Sequence, residues 1–212
     1  MFAYASSTGN RRNLAGLRAA GWGIMVSAKG RNGSNGFARW AFDNGAWWAY
    51  ANGEAFDERA FLRGYARYAA GADFAVLPDI VAGGRRSLEF SLAWRARLGA
   101  PVCPLMLAVQ DGIAPADVAA VVGPELGVFV GGSTEWKERT LAGWGRLARE
   151  CAARLHVGRV NTARRIHLCM AAGADSFDGS SASRYAVNLS LLDNARRQPD
   201  LLARLEVLPC TR

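Results

Sequence analysis

The run Ala171-Ala172-Gly173-Ala174-Asp175-Ser176-Phe177-Asp178-Gly179-Ser180-Ser181-Ala182-Ser183-Arg184 reads as the end of a helix, a short strand at Ser176-Phe177, and a Gly/Ser turn that opens another helix. Asp178 stands where the strand stops. An acid at that point has two readings. It accepts the orphan N–H groups of the next helix's first turn, or it is a reactive carboxylate at the edge of a pocket. The run alone leaves both open, and the rest of the chain bears on the choice because strand after strand ends in the same way.

Upstream, short apolar strands alternate with amphipathic helical stretches. Strands are predicted at Phe2 to Ala5, Trp22 to Val26, Arg39 to Phe42, Phe74 to Leu77, Val102 to Val109, Gly127 to Val130 and Leu155 to Val157, with Ser176-Phe177 as the eighth. Helices are predicted over Asn10 to Ala20, Asp57 to Ala70, Ser87 to Leu98, from near Pro115, over Trp136 to Ala153, up to Ala172, and from Ala182 onward, broken by Pro199. Gly30 to Gly36 reads as a Gly/Asn loop, and a second long loop carries Trp47, Trp48 and Tyr50.

Strands separated by helices imply a parallel sheet, and a compact (β/α)8 TIM-like barrel buries every strand on both faces. A strand, a helix and two loops take ~25 residues per unit, so eight units nearly consume the 212 residues as a single domain. The alternative is an open doubly wound sheet. It lacks support, because no Gly-x-Gly-x-x-Gly follows the first strand and Ser6-Ser7-Thr8-Gly9 is weak as a phosphate loop.

Half of the residues are hydrophobic and 21% are charged, the profile of a globular protein with a sizeable core. No apolar run approaches a membrane span, and the first residues lack the basic start and apolar block of a signal peptide, so a cytoplasmic location is expected. The four cysteines, Cys103, Cys151, Cys169 and Cys210, show no metal or redox spacing. The net charge of +8 comes overwhelmingly from Arg. Such a surface favours a polyanionic partner; a basic, merely soluble surface is the alternative reading of the same net charge, and the placement of the arginines bears on the choice.

In a barrel of this kind the strand ends form one pocket wall. Here they are Ser6, Ser27, Asp43, Asp79, Gln110, Gly132 with Ser133, Gly158 with Arg159, and Asp178. Three carboxylates facing one cavity are costly unless something is bound. The same face carries Arg11, Arg12, Lys29, Arg31, Arg85, Arg86, Lys137, Arg139, Arg159, Arg164, Arg165 and Arg184. An acidic pocket inside a basic collar fits a phosphate backbone outside and a reactive unit within. Trp47, Trp48 and Tyr50 read either as stacking surfaces for an extruded base or as a hydrophobic plug.

With these residues in place the chain resembles the guanine transglycosylase superfamily, which includes queuine-type tRNA-guanine transglycosylases, and most closely the phage-associated DNA 7-deazaguanine transglycosylases called DpdA-like. Phe177-Asp178 followed by Arg184 is similar to the family's Phe-Asp with an Arg six residues after the Asp. Asp43-Asn44-Gly45 resembles its Asp-Ser-Gly-Gly, Asp79 its base-reading Asp, Val109-Gln110-Asp111-Gly112 its Val-Gln-Gly, and Gly131-Gly132-Ser133 its Gly-Gly-Leu. The family's zinc-binding insertion is absent, which turns the expected acceptor from tRNA toward DNA. The Gly-Glu that follows Gly-Gly-Leu in the family is replaced by Ser133-Thr134-Glu135-Trp136, so base specificity is expected to differ.

The resemblance implies Asp178 as nucleophile and Asp43 as general acid/base. It implies Asp79, Gln110, Gly131, Gly132 and Ser133 as base-binding residues. Arg11, Arg12, Arg85, Arg86, Arg159, Arg164 and Arg184 are expected to contact nucleic acid. The incoming base would be a 7-deazaguanine such as 7-cyano-7-deazaguanine, with no metal and no redox cofactor. A chain this short leaves room for a partner protein to supply further nucleic-acid contacts. His156 reads as a lone histidine inside the barrel, more often a satisfied core residue than a catalyst. Two rival readings stand beside exchange: a nucleosidase or glycosylase that resolves the same intermediate with water, and a DNA-binding module without catalysis.

Overall fold

The computed structural model describes residues 1–30 and 33–198; Arg31, Pro199 and Cys210, named above, lie outside the described residues. Eight parallel strands follow one another around a closed barrel: β1 (Phe2–Ser6), β2 (Gly23–Ser27), β3 (Trp40–Asp43), β4 (Ala75–Val76), β5 (Leu105–Val109), β6 (Leu126–Val130), β7 (Leu155–Val157) and β8 (Ser176–Gly179). Closure is made by β8 on β1, in register from Phe2 opposite Ser176 to Ala5 opposite Gly179. That pairing rules out the open sheet. The helices are α1 (Arg11–Ala19), α2 (Ala46–Ala51), α3 (Glu58–Tyr68), α4 (Arg85–Leu98), α5 (Pro115–Val118), α6 (Thr134–Glu150), α7 (Ala163–Ala171), α8 (Ser181–Arg184) and α9 (Val187–Arg197). None of them is long and apolar enough to cross a membrane.

Alternation along the strands builds two cores. Outward residues such as Ala5, Ile24, Val26, Phe42, Leu107, Val128 and Phe177 pack beneath the helices. Inward residues Tyr4, Met25, Ala41, Phe74, Val76, Met106 and Ala108 fill the lumen. The lower end is closed by polar pairing rather than by more hydrocarbon. The Tyr4 hydroxyl donates to Asp73 at 2.7 Å, and Arg39 pairs with the same carboxylate while its guanidinium lies over the Phe2 ring.

The differences from the sequence reading are local. Residues 46–51 form α2 instead of a loop: Gly45, at φ 81°, turns the chain out of β3, and Ala46 and Ala49 then bury one face of a short helix. β5 starts at Leu105, not Val102, because Pro104 has no N–H for the ladder. α6 begins earlier than Trp136, where the Ser133 side chain accepts the Trp136 N–H. β8 extends to Gly179, so Asp178 lies within the strand rather than after it, and the end of the described chain is two helices.

Close packing of α6 on the end of α7 depends on Gly145, where an added Cβ would stand 2.0 Å from the Ala172 carbonyl oxygen. That contact is backbone, which no rotamer change relieves. Gly145→Ala is expected to cost about 1–3 kcal/mol, read as a fall in thermal midpoint of several degrees; an unchanged midpoint would refute this account of the α6–α7 contact.

Candidate active site

The upper end of the lumen is polar. Asp178, inward-facing on β8 and 9% exposed, has a donor on each carboxylate oxygen: His156 Nε2 at 3.1 Å from Oδ2 and the Arg159 backbone N–H at 3.4 Å from Oδ1. His156 is fully buried on β7, with Nδ1 2.8 Å from the Ser176 hydroxyl. A ring that donates to Asp178 through Nε2 and accepts Ser176 at Nδ1 satisfies both neighbours. The rings of Tyr4, Phe74 and Phe129 enclose the imidazole, Phe129 stacking on it at 4.8 Å.

The capping reading of Asp178 is excluded by geometry. The first N–H of α8, that of Ser181, is taken at 2.8 Å by the Asn161 side chain, which frees Asp178 for the lumen.

Asp43, at the end of β3, lies under the influence of Asp178. Burial, then the negative charge of Asp178, then that of Asp79 push its carboxyl up to about 7, against the smaller pull of hydrogen bonds from the Gly45 backbone and the Ser27 hydroxyl. Asp79 is raised to about 6 by burial, partly offset by Asn44, whose side-chain amide donates to it at 2.8 Å. Asn44 also donates to the Leu77 carbonyl and accepts the Ala46 N–H, so it fixes the β3 and β4 loops together beneath Asp79. Beside Asp43 opens a cavity of about 450 Å³, lined among others by Ser6, Met25, Ser27, Lys29 and Trp48. A site of this kind holds one carboxylic acid able to give a proton close to a second carboxylate able to attack.

Other expected site residues do different work. Gln110 is buried, with both amide protons used on the Ile80 carbonyl and the Ser87 hydroxyl and its oxygen accepting the Ala82 N–H. It is a strut for the β4–α4 loop, a role that leaves its amide no proton for a base edge. Ser133 is clasped by Asp111, which accepts from its N–H and its hydroxyl at 2.6 Å each. Gly132 turns at φ 63° and its carbonyl accepts the Arg159 guanidinium, while the Gly131 N–H continues the ladder to Val109.

The collar is thinner than its arginine count. Arg85 pairs with Asp117, Arg164 and Arg165 share Glu138, and Lys29 pairs with Glu54 and Asp57. Arg11, Arg12, Arg86, Arg139 and Arg184 are exposed. Lys137 is not in the collar at all but buried under it. Arg159 is half-buried and stacks its guanidinium 4.1 Å over the Trp47 ring. Trp47, Trp48 and Tyr50 are about half exposed on α2, which argues against a plug.

Sequence reasoning left His156 as a core residue and missed its bond to Asp178. The signal was parity: His156 on β7 and Ser176 on β8 are register partners, and Asp178 is two residues on, so all three point inward.

No protein-family model and no curated protein matches the sequence. Among solved structures, the chain is similar to the BexX/CysO complex of Amycolatopsis orientalis at 15% identity and a TM-score of 0.59, over 99% of this chain and 93% of that one. RipC from Yersinia pestis aligns at 10% identity and a TM-score of 0.56, over 97% and 98%. CitE from Mycobacterium tuberculosis, in complex with magnesium and pyruvate, aligns at 13% identity and a TM-score of 0.56, over 96% and 95%. At these identities the likeness is one of fold.

The elevated Asp43 has a consequence for stability. A carboxyl raised in the fold above its unfolded value stabilises at low pH and loses that contribution as pH rises from about 4 to 7. Asp43→Asn is therefore expected to be more stable than the parent at pH 8, by about 1–2 kcal/mol once solvent access through the cavity is allowed for, and to show no such advantage at pH 4. Chemical denaturation at the two pH values measures it. An equal difference at both would mean that Asp43 is not raised.

Proposed function

We propose that this protein is a transglycosylase that exchanges guanine in DNA for a 7-deazaguanine base through a covalent Asp178–glycosyl intermediate. The observation that carries the reading is the coupled pair: Asp178, held by His156 and the Arg159 N–H, raising the proton affinity of Asp43 across the same mouth. Its supports are the ordered motifs at Asp43, Asp79, Val109-Gln110 and Phe177-Asp178, and the residual basic rim of Arg11, Arg12, Arg86 and Arg184.

The chemistry follows from the two roles. A carboxylate oxygen of Asp178 attacks the anomeric carbon, the C–N bond to guanine breaks, and its electron pair leaves with the ring. Asp43, whose carboxyl is raised to about 7, gives its proton to the departing base from the protonated fraction present at neutral pH. The incoming base reverses the sequence: Asp43, now ionised, removes its ring N–H proton, the nitrogen attacks the sugar carbon, and Asp178 departs. No net oxidation occurs. Asp79, fixed by Asn44, is the remaining carboxyl available to read an amide or amino edge of the purine. Gln110 and the 131–133 segment then contribute by holding loops, with backbone groups as their only direct means of contact.

The test is release of labelled guanine from duplex DNA and, in parallel, from tRNA, with and without 7-cyano-7-deazaguanine. The expected result is release from DNA that requires the added base and is lost at least a thousandfold (~4 kcal/mol) in Asp178→Ala. Base-independent release would replace exchange with hydrolysis. Release from tRNA alone would change the acceptor, and DNA binding without release in the parent would favour the non-catalytic module. The rate of guanine departure is also expected to fall as pH rises through about 7, as Asp43 loses its proton. Asp43→Asn removes that limb together with most of the activity; a parent rate that is flat from pH 6 to 8 would take the acid role from Asp43.

A further inference from the structure

Lys29 and Lys137 are the only lysines in the sequence, and Lys137 is in an unusual place. It sits on the inner face of α6, 5% exposed, and among the described residues it makes no ion pair. Its ammonium donates instead to the Gly158 carbonyl at 2.5 Å. Burying an ammonium on a neutral acceptor is costly, and burial together with the nearby Arg159 charge pulls its pKa down to about 8, with Asp178 acting in the opposite sense. A methionine would fill the same volume without that cost.

What the ammonium holds explains its presence. The Gly158 C=O and the Arg159 N–H belong to one peptide unit, which is trans, so they point in opposite directions. With the oxygen fixed toward Lys137, the N–H is aimed at Asp178 Oδ1. The unit has a reason to move otherwise: Arg159 stands at φ 59°, a left-handed conformation that costs a non-glycine residue about 1–2 kcal/mol. It has little room for a side chain at 158, where a Cβ would meet the Phe129 ring at 2.8 Å. The loop is tied on both sides, by the Gly158 N–H to Val130 and by the Val160 N–H to the Asp178 carbonyl.

We propose that Lys137 is a positioning residue for Asp178, acting through the 158–159 peptide. A cation on the carbonyl polarises the amide, so the N–H offered to the carboxylate is both aimed and strengthened. The role in rate rests on the reading of Asp178 as nucleophile; the Lys137–peptide–Asp178 coupling does not.

The experiment therefore has two readouts on full-length protein. In ¹H–¹⁵N spectra, the Arg159 amide proton is expected to shift on Asp178→Asn, and to move upfield in Lys137→Met as its bond to the carboxylate weakens. In single-turnover guanine release from DNA, Lys137→Met is expected to lose tenfold or more (~1.4 kcal/mol) with KM changed less than twofold, and Lys137→Arg to recover part of the loss. An Arg159 amide insensitive to Asp178→Asn overturns the proposal, even where Lys137→Met fails to fold. A folded Lys137→Met with unchanged rate, or with its loss confined to KM, overturns it as well. A parent that couples Arg159 to Asp178 yet releases no guanine would sink the transglycosylase reading and leave the coupling standing.

Discussion

A carboxylate buried on an inward-facing strand position has to be met by donors, and that requirement organises the upper half of this barrel. Asp178 takes one donor from the neighbouring strand, His156, and one from the turn that follows it, the Arg159 N–H. The histidine can serve only if its ring is held, which the Tyr4, Phe74 and Phe129 rings do by packing and Ser176 does by hydrogen bonding. Each of these depends on the β7–β8 register that sets His156 opposite Ser176. A slip of one residue in β8 would turn both Ser176 and Asp178 toward the helices and bring Phe177 into the lumen.

The fold was legible because a parallel sheet leaves a plain trace: apolar runs too short for helices, separated by helix-length amphipathic segments, with length for eight units and little else. The acidic strand ends were legible for the same reason, since Asp43, Asp79 and Asp178 each stop an apolar run. What the sequence hid were long-range partners. Nothing near Gln110 reveals that Ile80, Ala82 and Ser87 will consume its amide, because Ile80 and Ala82 come from the loop before α4 and Ser87 from the first turn of that helix. Lys137 looked like one more cation of a collar because burial on α6 is decided by the β7 loop, some twenty residues on.

Charge on the rim tells a similar story. Counting arginines overstates the field available to a polyanion, since Glu138 alone occupies two of them and Asp117 a third. Exposed pairs of this sort contribute little to stability, yet they restrain the side chains near the mouth and reduce the net potential there. Among the described residues, exposed arginines without an ion pair stand at the start of α1, at Arg86 and at Arg184, and also along α3 and α6 at Arg59, Arg63, Arg67 and Arg146, so the basic charge is not confined to the rim.

Arg159 draws these strands of argument together. A glycine would adopt its φ of 59° without strain, so the side chain must offset the cost. It does so in two places at once: the guanidinium donates to the Gly132 carbonyl in the β6 loop and lies 4.1 Å over Trp47 on α2. In the closed strand order β3 and β7 are four strands apart, on opposite sides of the barrel. The stacked pair therefore spans the mouth, joining the loop that follows Asp43 to the loop that feeds its N–H to Asp178. One residue thus carries the backbone donor at the buried carboxylate and holds the exposed aromatic helix. The αL strain at 159 and the half-burial of its guanidinium are two sides of that single link, while Lys137 fixes the peptide from its other end.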